Sequence, residues 1–371
     1  MKKYENNTAF FCGKNIFSRQ EFLHRCRILI INAVNISSKD EKSLENMLEN
    51  ATISEINTII RIAKKYYELG MSQEQIAAEE ETSISTVSRM IKKAVTLGYV
   101  KHEIIYPVRS LALQEELLKK HFDIDHIFIT PCFVNNASIC MTDTCKMVAE
   151  DLSKIVSDND IVSVSWGRTM EHLSSLLVPP ATTKKGIQIV QLNGSIATSV
   201  LSTKTAGLLE KFTQAYSGVG YIIAAPALVD DEKIASEIKR DSRIKLVLEL
   251  AREANIAVFS IGQTSENSVL VERSTVTIEN IKALREAGAV GDICTRFFDL
   301  SGGLVDNGYN ARTIGIELHE LKKKKHRIGI AVGAEKADAI IGALRGGYMT
   351  TLYTDEITAL NILKRCEEYN L

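Results

Sequence analysis

An excess of charge of either sign is missing from this chain: 45 lysines and arginines face 46 aspartates and glutamates, a formal net charge of -1. That balance excludes a global polycation, so any contact with nucleic acid has to come from a local arrangement of charge. Long apolar runs are missing too. Nothing nears the roughly 20 residues needed to cross a bilayer, and the densest early run, Ile28-Leu29-Ile30-Ile31, follows Arg25 and Arg27 without a small-residue cleavage site. A cytoplasmic protein with no membrane partner is expected. The seven cysteines (Cys12, Cys26, Cys132, Cys140, Cys145, Cys294, Cys366) contain no CxxC pair, which argues for reduced thiols. No histidine stands between Cys132, Cys140 and Cys145, so a structural role is expected there rather than a metal site. No cofactor is implied.

What is present is 371 residues, 45% of them hydrophobic and 25% charged, enough for two folded domains and an extension. Residues 1–54 are read as an N-terminal extension without assignable chemistry, with one helix over Phe17 to Ile36 followed by a charged stretch from Ser37 to Asn50. Residues 55–107 and 108–371 read as separate domains of different texture.

In the first of these, Gln73 to Glu80 places Ile76 and Ala77 on one face of a short helix, with Ser72 as its natural N-cap. The polar turn Glu81-Thr82-Ser83 leads into a second helix whose Ile84, Val87, Ile91 and Ala94 repeat at helical spacing until Gly98. Small hydroxyls and long cations stand between those apolar positions, the types that suit base edges and phosphates. Glu55 to Tyr106 holds seven lysines and arginines and seven glutamates, but the signs are segregated: Glu79, Glu80 and Glu81 precede the turn, and Arg89, Lys92 and Lys93 follow it. An amphipathic run from Ile56 to Leu69 supplies a packing helix, and Tyr99 to Tyr106 alternates like the strand of a wing. A winged helix-turn-helix is predicted, with Gln73, Ser83, Ser85, Thr86, Ser88, Arg89, Lys92 and Lys93 as DNA-binding residues. The plainer alternative is a three-helix oligomerisation module with a solvated basic face.

From Pro107 onward short apolar runs alternate with helical stretches: Ile161 to Ser165, Ile187 to Leu192, Tyr221 to Ala225, Ile256 to Ile261, Arg327 to Val332 and Met349 to Tyr353. Such alternation predicts an α/β domain with a parallel sheet, whose ligand would sit beyond the carboxyl ends of the strands. Ser165-Trp166-Gly167-Arg168-Thr169 follows the first run and opens a helix, the arrangement that presents amides and a hydroxyl to an anion. Asn193-Gly194 follows the second run and Gly262-Gln263-Thr264 the fourth, and Lys336 lands at a helix start after the fifth, a mobile cation for phosphate. Asp292 adds a carboxylate suited to sugar hydroxyls.

Taken together, YYELGMSQEQIA and STVSRMIKKA with SWGRT, QLNG, AAPA, GDICTRFFD and AVGAEKADAIIGALRGGYMTTLYTDEITA make the chain resemble the SorC/DeoR group of sugar-binding bacterial transcriptional regulators over approximately residues 56 to 367. The resemblance implies a winged helix-turn-helix joined to an effector domain of the glucosamine-6-phosphate deaminase and ribose-5-phosphate isomerase fold. It also implies a homo-oligomer, dimer or tetramer, that binds double-stranded operator DNA and answers to a phosphorylated sugar. By motif position Gly167, Arg168 and Thr169 resemble a phosphate loop, Asn193 and Gly194 a second wall, Asp292 a hydroxyl acceptor and Lys336 a cation. Lys204 lies where some members place a reactive lysine. Arg168 stands where small or hydroxylated residues are common. The rival reading is an enzyme, a sugar-phosphate isomerase or deaminase with a fused DNA-binding module. Beyond Asp292 and Lys336 no acid-base pair presents itself for it, so no catalytic residue is assigned.

Overall fold

The computed structural model describes residues 10–12, 15–17, 53–102, 111–195, 204–272, 275–305 and 308–371. The chain divides into two compact units, Met1–Tyr106 and Pro107–Leu371.

In the first unit two three-residue strands, β1 (Phe10–Cys12) and β2 (Asn15–Phe17), pair antiparallel. The helix expected over Phe17 to Ile36 lies outside the described residues except for Phe17, which closes β2. Three helices follow: α1 (Ile53–Tyr67), α2 (Gln73–Glu79) and α3 (Ile84–Thr96). The start of α2 is set by Ser72, whose hydroxyl accepts from the Gln75 amide while the Gln75 side chain accepts from the Ser72 amide, a reciprocal capping box. Ser83 caps α3 by accepting from the Thr86 amide, without a reciprocal bond. Ile62, Ile76, Ala77, Val87 and Ile91 form the buried centre of the three helices, with Ile59, Ala63, Ala94 and Leu97 beside it. Ile84 departs from the expected apolar face: it is 48% exposed. The strand expected from Tyr99 is absent over Tyr99 to His102, where Gly98 takes φ +74° and the chain bends so that the Val100 amide reaches the Ala94 carbonyl. Residues 103–106 of the expected wing lie outside the described residues.

The second unit is built on a seven-stranded parallel sheet. Its strands are β3 (His126–Thr130), β4 (Ile161–Val164), β5 (Gln188–Gln191), β6 (Val219–Tyr221), β7 (Ile256–Ser260), β11 (His326–Ile330) and β12 (Thr351–Asp355), in the spatial order β3-β12-β11-β7-β4-β5-β6. The strands read as near-continuous apolar runs because both faces are covered. Ala257, Phe259 and Leu352 enter one core while Val258, Ile328, Ile330 and Tyr353 enter the other. Helices α4 (Ala112–His121), α5 (Ala137–Ile155), α6 (Arg168–Ser174), α7 (Lys204–Ala215), α8 (Glu232–Arg240), α9 (Ser242–Glu253), α10 (Ile278–Glu286), α11 (Ala337–Arg345) and α12 (Glu356–Tyr369) complete it. A three-stranded antiparallel sheet of β8 (Gly262–Gln263), β9 (Ala289–Ile293) and β10 (Arg296–Asp299) stands apart from the main sheet.

One strand expectation in this unit needs correcting. Tyr221 to Ala225 is not a strand: β6 ends at Tyr221, and the next residues turn so that Ala225 and Ala227 bridge to Ser195. The edge strand β3 and the antiparallel sheet were not foreseen.

The order of the main sheet decides where a ligand can sit. From β4 the chain runs outward through β5 and β6, then returns to β7 on the other side of β4 and runs outward through β11 and β12. Connections leaving neighbouring β4 and β7 in opposite directions open a crevice at the carboxyl ends of these two strands.

Candidate functional site

A cavity of about 470 Å³ occupies that crevice. Gly167, Arg168 and Thr169 reach it from the end of β4, Asn193 from the end of β5, Gly262 from the end of β7, Lys336 from the loop after β11, and Asp292 from β9. Seven of the nine effector residues expected from sequence are thus brought together. Gly194 is not among the lining residues. Its Cα is packed so closely on Ala225 and Pro226 that a side chain would overlap their backbone, and its carbonyl accepts from the Trp166 indole at 2.9 Å. It fixes the Trp166 wall from behind. Lys204 is the first residue of α7; its side chain lies outside the described residues.

Asp292 is the most perturbed acid of the site. It is 8% exposed, and burial pushes its carboxyl up to about 6 against the stabilising Thr295 amide and the positive field of Lys336. The hairpin that carries it is strained: Ile293 pairs with Arg296 across a two-residue turn in which Cys294 and Thr295 take φ +54° and +67°. Turns of this geometry normally use asparagine or glycine, and a β-branched residue there costs of the order of 1 kcal/mol or more. The turn aims the Thr295 amide at Asp292 Oδ2, 3.1 Å away. Arg296, with no exposed surface, anchors the hairpin by donating to the carbonyls of Ile316 and Asn310 and by an ion pair with Glu317 at 2.6 Å. Gly262 is required beneath: a Cβ at that position would collide with the Asp292 carboxylate.

Lys336 faces the same cavity. Desolvation lowers its pKa, Arg168 lowers it further, and Glu335, Asp292 and Asp355 act the other way. No group among the described residues bonds its ammonium. Asn193 is 1% exposed; its amide nitrogen donates weakly to Thr295 Oγ1 at 3.5 Å, and its Oδ1 has no partner among the described residues. A buried acceptor left unpaired costs about 1–3 kcal/mol. The cavity is therefore lined by two cations, Lys336 and Arg168, by two carboxylates, Glu335 and the reluctant Asp292, and by Asn193, whose amide oxygen is unpaired among the described residues, a set that a polyhydroxylated anion satisfies.

Arg168 is 64% exposed at its side chain and spans the rim, donating to the Asn267 carbonyl at 3.1 Å and standing 4.0 Å from Glu272. Residues unforeseen from sequence complete the wall: Ala137, Ser138 and Met141 of α5, with Asn267, Ser268 and Val269. The sequence signals for α5 are Asn136, which caps it through the Ser138 and Ile139 amides, and the helical spacing of Cys140, Thr144, Cys145, Val148, Ala149 and Leu152 on its buried face. The three cysteines weighed together separate. Cys145 packs against Met141 and the Thr169 carbonyl, while Cys132 and Cys140 stand 2.9 Å apart beside Asp355, whose two oxygens already cap α12 through Thr358.

The other candidate surface is α3. Ser85, Arg89, Lys92 and Thr96 are exposed and Ser88 is half-buried on one face. Lys93 is set off this face and pairs with Glu55 at 2.5 Å. Ser83 is occupied as the helix cap, and Gln73, half-buried, opens α2. The acidic turn is neutralised internally: Glu80 takes Arg61 at 2.7 Å and Lys65 at 2.8 Å, and these cations, Arg61 first, hold its carboxyl down at about 2.

Residues 106–364 match the family described as "Putative sugar-binding domain". The chain is 34% identical over 302 residues to the deoxyribonucleoside regulator of Bacillus subtilis, covering 81% of this chain and 95% of that protein. The chain belongs to the SorC/DeoR family of sugar-binding transcriptional regulators. It is also 27% identical over 326 residues to the sorbitol operon regulator of Klebsiella pneumoniae, covering 85% of this chain and the whole of that protein. The crystal structure of full-length SorC from the same organism superposes with a TM-score of 0.62 over 84% of this chain and 99% of that one. A probable sor operon regulator from Shigella flexneri, 26% identical, does so with the same score over 68% of this chain and 99% of that one. These relatives are regulators of transcription rather than enzymes, so the shared α/β frame serves here to sense a sugar-related ligand and control an operon. No helix among the described residues is long and apolar enough to cross a membrane.

Proposed function

We propose that the regulator binds operator DNA through α2 and α3 and releases or tightens that grip when a phosphorylated sugar fills the cavity between β4 and β7. The observation that carries the effector assignment is the convergence of Lys336, Asp292 and Asn193 on one cavity, with the Lys336 ammonium and the buried Asn193 Oδ1 lacking a hydrogen-bond partner among the described residues. Lys336 and the amides after Gly167 take the phosphate. Asp292 and Asn193 take sugar hydroxyls, which relieves the desolvated carboxylate and the idle amide oxygen. Arg168, tied to Asn267 at the rim, closes over the anion. The residues 55–107 act as the DNA-binding domain and 108–371 as the effector and oligomerisation domain, working in the cytoplasm as a dimer or tetramer that sets two α3 helices in successive major grooves. A thousandfold change in operator affinity requires the effector to favour one arrangement by about 4 kcal/mol, and operator DNA then alters effector affinity equally.

A thermal-shift screen tests the effector. Pentose and hexose phosphates, including deoxyribose phosphates, are compared with the same sugars lacking phosphate and with deoxyribonucleosides, since a ligand of the native state raises its apparent stability by mass action. A shift with a phosphorylated sugar alone supports the proposal; a shift with only the free sugar or nucleoside removes the phosphate from it.

A further inference from the structure

At the tip of α3 the polar residues are turned on one another. Ser83 Oγ receives the Thr86 amide at 3.2 Å, and the hydroxyls of Ser85 and Thr86 each stand 2.9 Å from it. These groups are committed to the helix cap before any ligand arrives. The residue between them is Ile84, the first of the helix, 48% exposed although its sequence spacing belongs to the buried set. At 100° per residue it stands about 20° from both Ile91 and Val95, at the border between the buried arc of Val87, Ile91 and Ala94 and the solvent-facing arc of Ser88, Lys92 and Val95, and no earlier turn of the helix covers it. Val95, on the same border, is 37% exposed three turns along. An exposed apolar side chain thus stands at the leading end of the helix, beside the face that carries Ser85, Ser88, Arg89 and Lys92.

In recognition helices the N-terminal residues approach base edges, and the one apolar group that the major groove of unmodified DNA presents is the C5-methyl of thymine. We infer that Ile84 reads a thymine methyl in each operator half-site. Arg89 and Lys92 supply the charge complementarity that seats the face on phosphates. This rests on the proposed DNA-binding role of α3 and adds to it the residue at its tip that selects a base. The hydroxyls nominated by the sequence, Ser83, Ser85 and Thr86, position that residue through the cap instead of reading bases themselves.

The test uses the full-length protein and duplexes enriched by it from a randomised library. Each thymine of an enriched site is replaced in turn by deoxyuracil, which removes only the methyl. Wild type is expected to lose about four- to tenfold in affinity at one position per half-site, the size set by burial of one methyl group. Ile84→Ala should bind the thymine site that much more weakly and be indifferent to uracil there. Ile84→Val, which keeps a branched apolar group, should retain part of the discrimination and controls for helix integrity. The inference is overturned if wild type ignores uracil everywhere, or if Ile84→Ala keeps the full uracil penalty at the same position. Failure to enrich any duplex would overturn the DNA-binding role itself, an outcome distinct from both.

Discussion

The two units treat charge in opposite ways. Around α2 and α3 every charge the helices carry inward is paired at the surface of the fold: Glu80 with Arg61 and Lys65, Lys93 with Glu55. Arg89 and Lys92 are exposed to solvent. In the effector unit Asp292 and Lys336 line one cavity, desolvated, with Asn193 Oδ1 lacking a partner among the described residues. The first arrangement makes a stable tool that meets a highly charged polymer in water. The second keeps polar groups in a costly state that a small ligand relieves, so it is the part that can respond.

The sharpest way to break this contrast is at the cavity. Lys336→Ala should weaken binding of the effector sugar phosphate by roughly 100-fold, the scale of a charge-assisted hydrogen bond in a desolvated site, while operator binding without effector stays as in wild type. Titration calorimetry and gel shift read the two halves, and an unchanged effector affinity would remove Lys336 from the phosphate site.

Next comes a gain in stability from damage to the site. A carboxyl moved from 3.8 to about 6 by folding binds its proton more tightly in the native state, so native stability falls as pH rises from about 4 to about 6 and stays lowered above. The ionisation costs ~3 kcal/mol at pH 7.5. Asp292→Asn, which still accepts from the Thr295 amide, should stabilise the ligand-free protein by up to that amount at pH 7.5 and hardly at all below pH ~4. Denaturant titrations at both pH values measure it, and equal gains at the two would show that the carboxylate is not the cause.

Glu80 gives the mirror image with a smaller size. Its folded value near 2 lies below the ordinary 4.5, so its contribution is present above about 4.5 and is lost as pH falls toward 2. Because Arg61 is 53% exposed, solvent screening reduces the contribution to ~1–2 kcal/mol. Glu80→Gln should lower the stability of the helical unit by that much at neutral pH, and by only about a quarter as much at pH 2.5, in far-ultraviolet circular dichroism melts.

The smallest effects belong to single surface cations. Arg89→Ala and Lys92→Ala should each reduce the slope of log affinity against log salt by about one if they meet phosphates. Lys93→Ala should change it less, because its ammonium is already engaged by Glu55. A larger effect at Lys93 than at Arg89 would reverse the assignment of the DNA face.

Much of this was legible in the sequence where a signal is local. Ser72 and Ser83 announce the starts of α2 and α3 because a cap is a contact between near neighbours. Runs such as Ile256 to Ile261 announce parallel strands because burial on both faces demands unbroken apolarity. Ile84 was misread because periodicity names a spacing without its phase at the first turn, where no earlier turn of helix covers the residue. Gly194 was placed in the wall by motif position together with Asn193, whereas its own role is to let Ala225 and Pro226 pass close behind.

By itself the sequence determined the helix-turn-helix, the alternation of strand and helix, and the glycines, carboxylate and lysine that belong to a site, since each depends on residues a few positions apart. Which of them share a cavity was decided only by the order of the main sheet, which brings the ends of β4 and β7 together from about 95 residues apart, and by the Cys294-Thr295 turn that swings Asp292 beneath them. Burial, and with it the shifted proton affinities of Asp292 and Lys336, is a property of that assembly: no residue is desolvated until the elements from distant parts of the chain have closed around it.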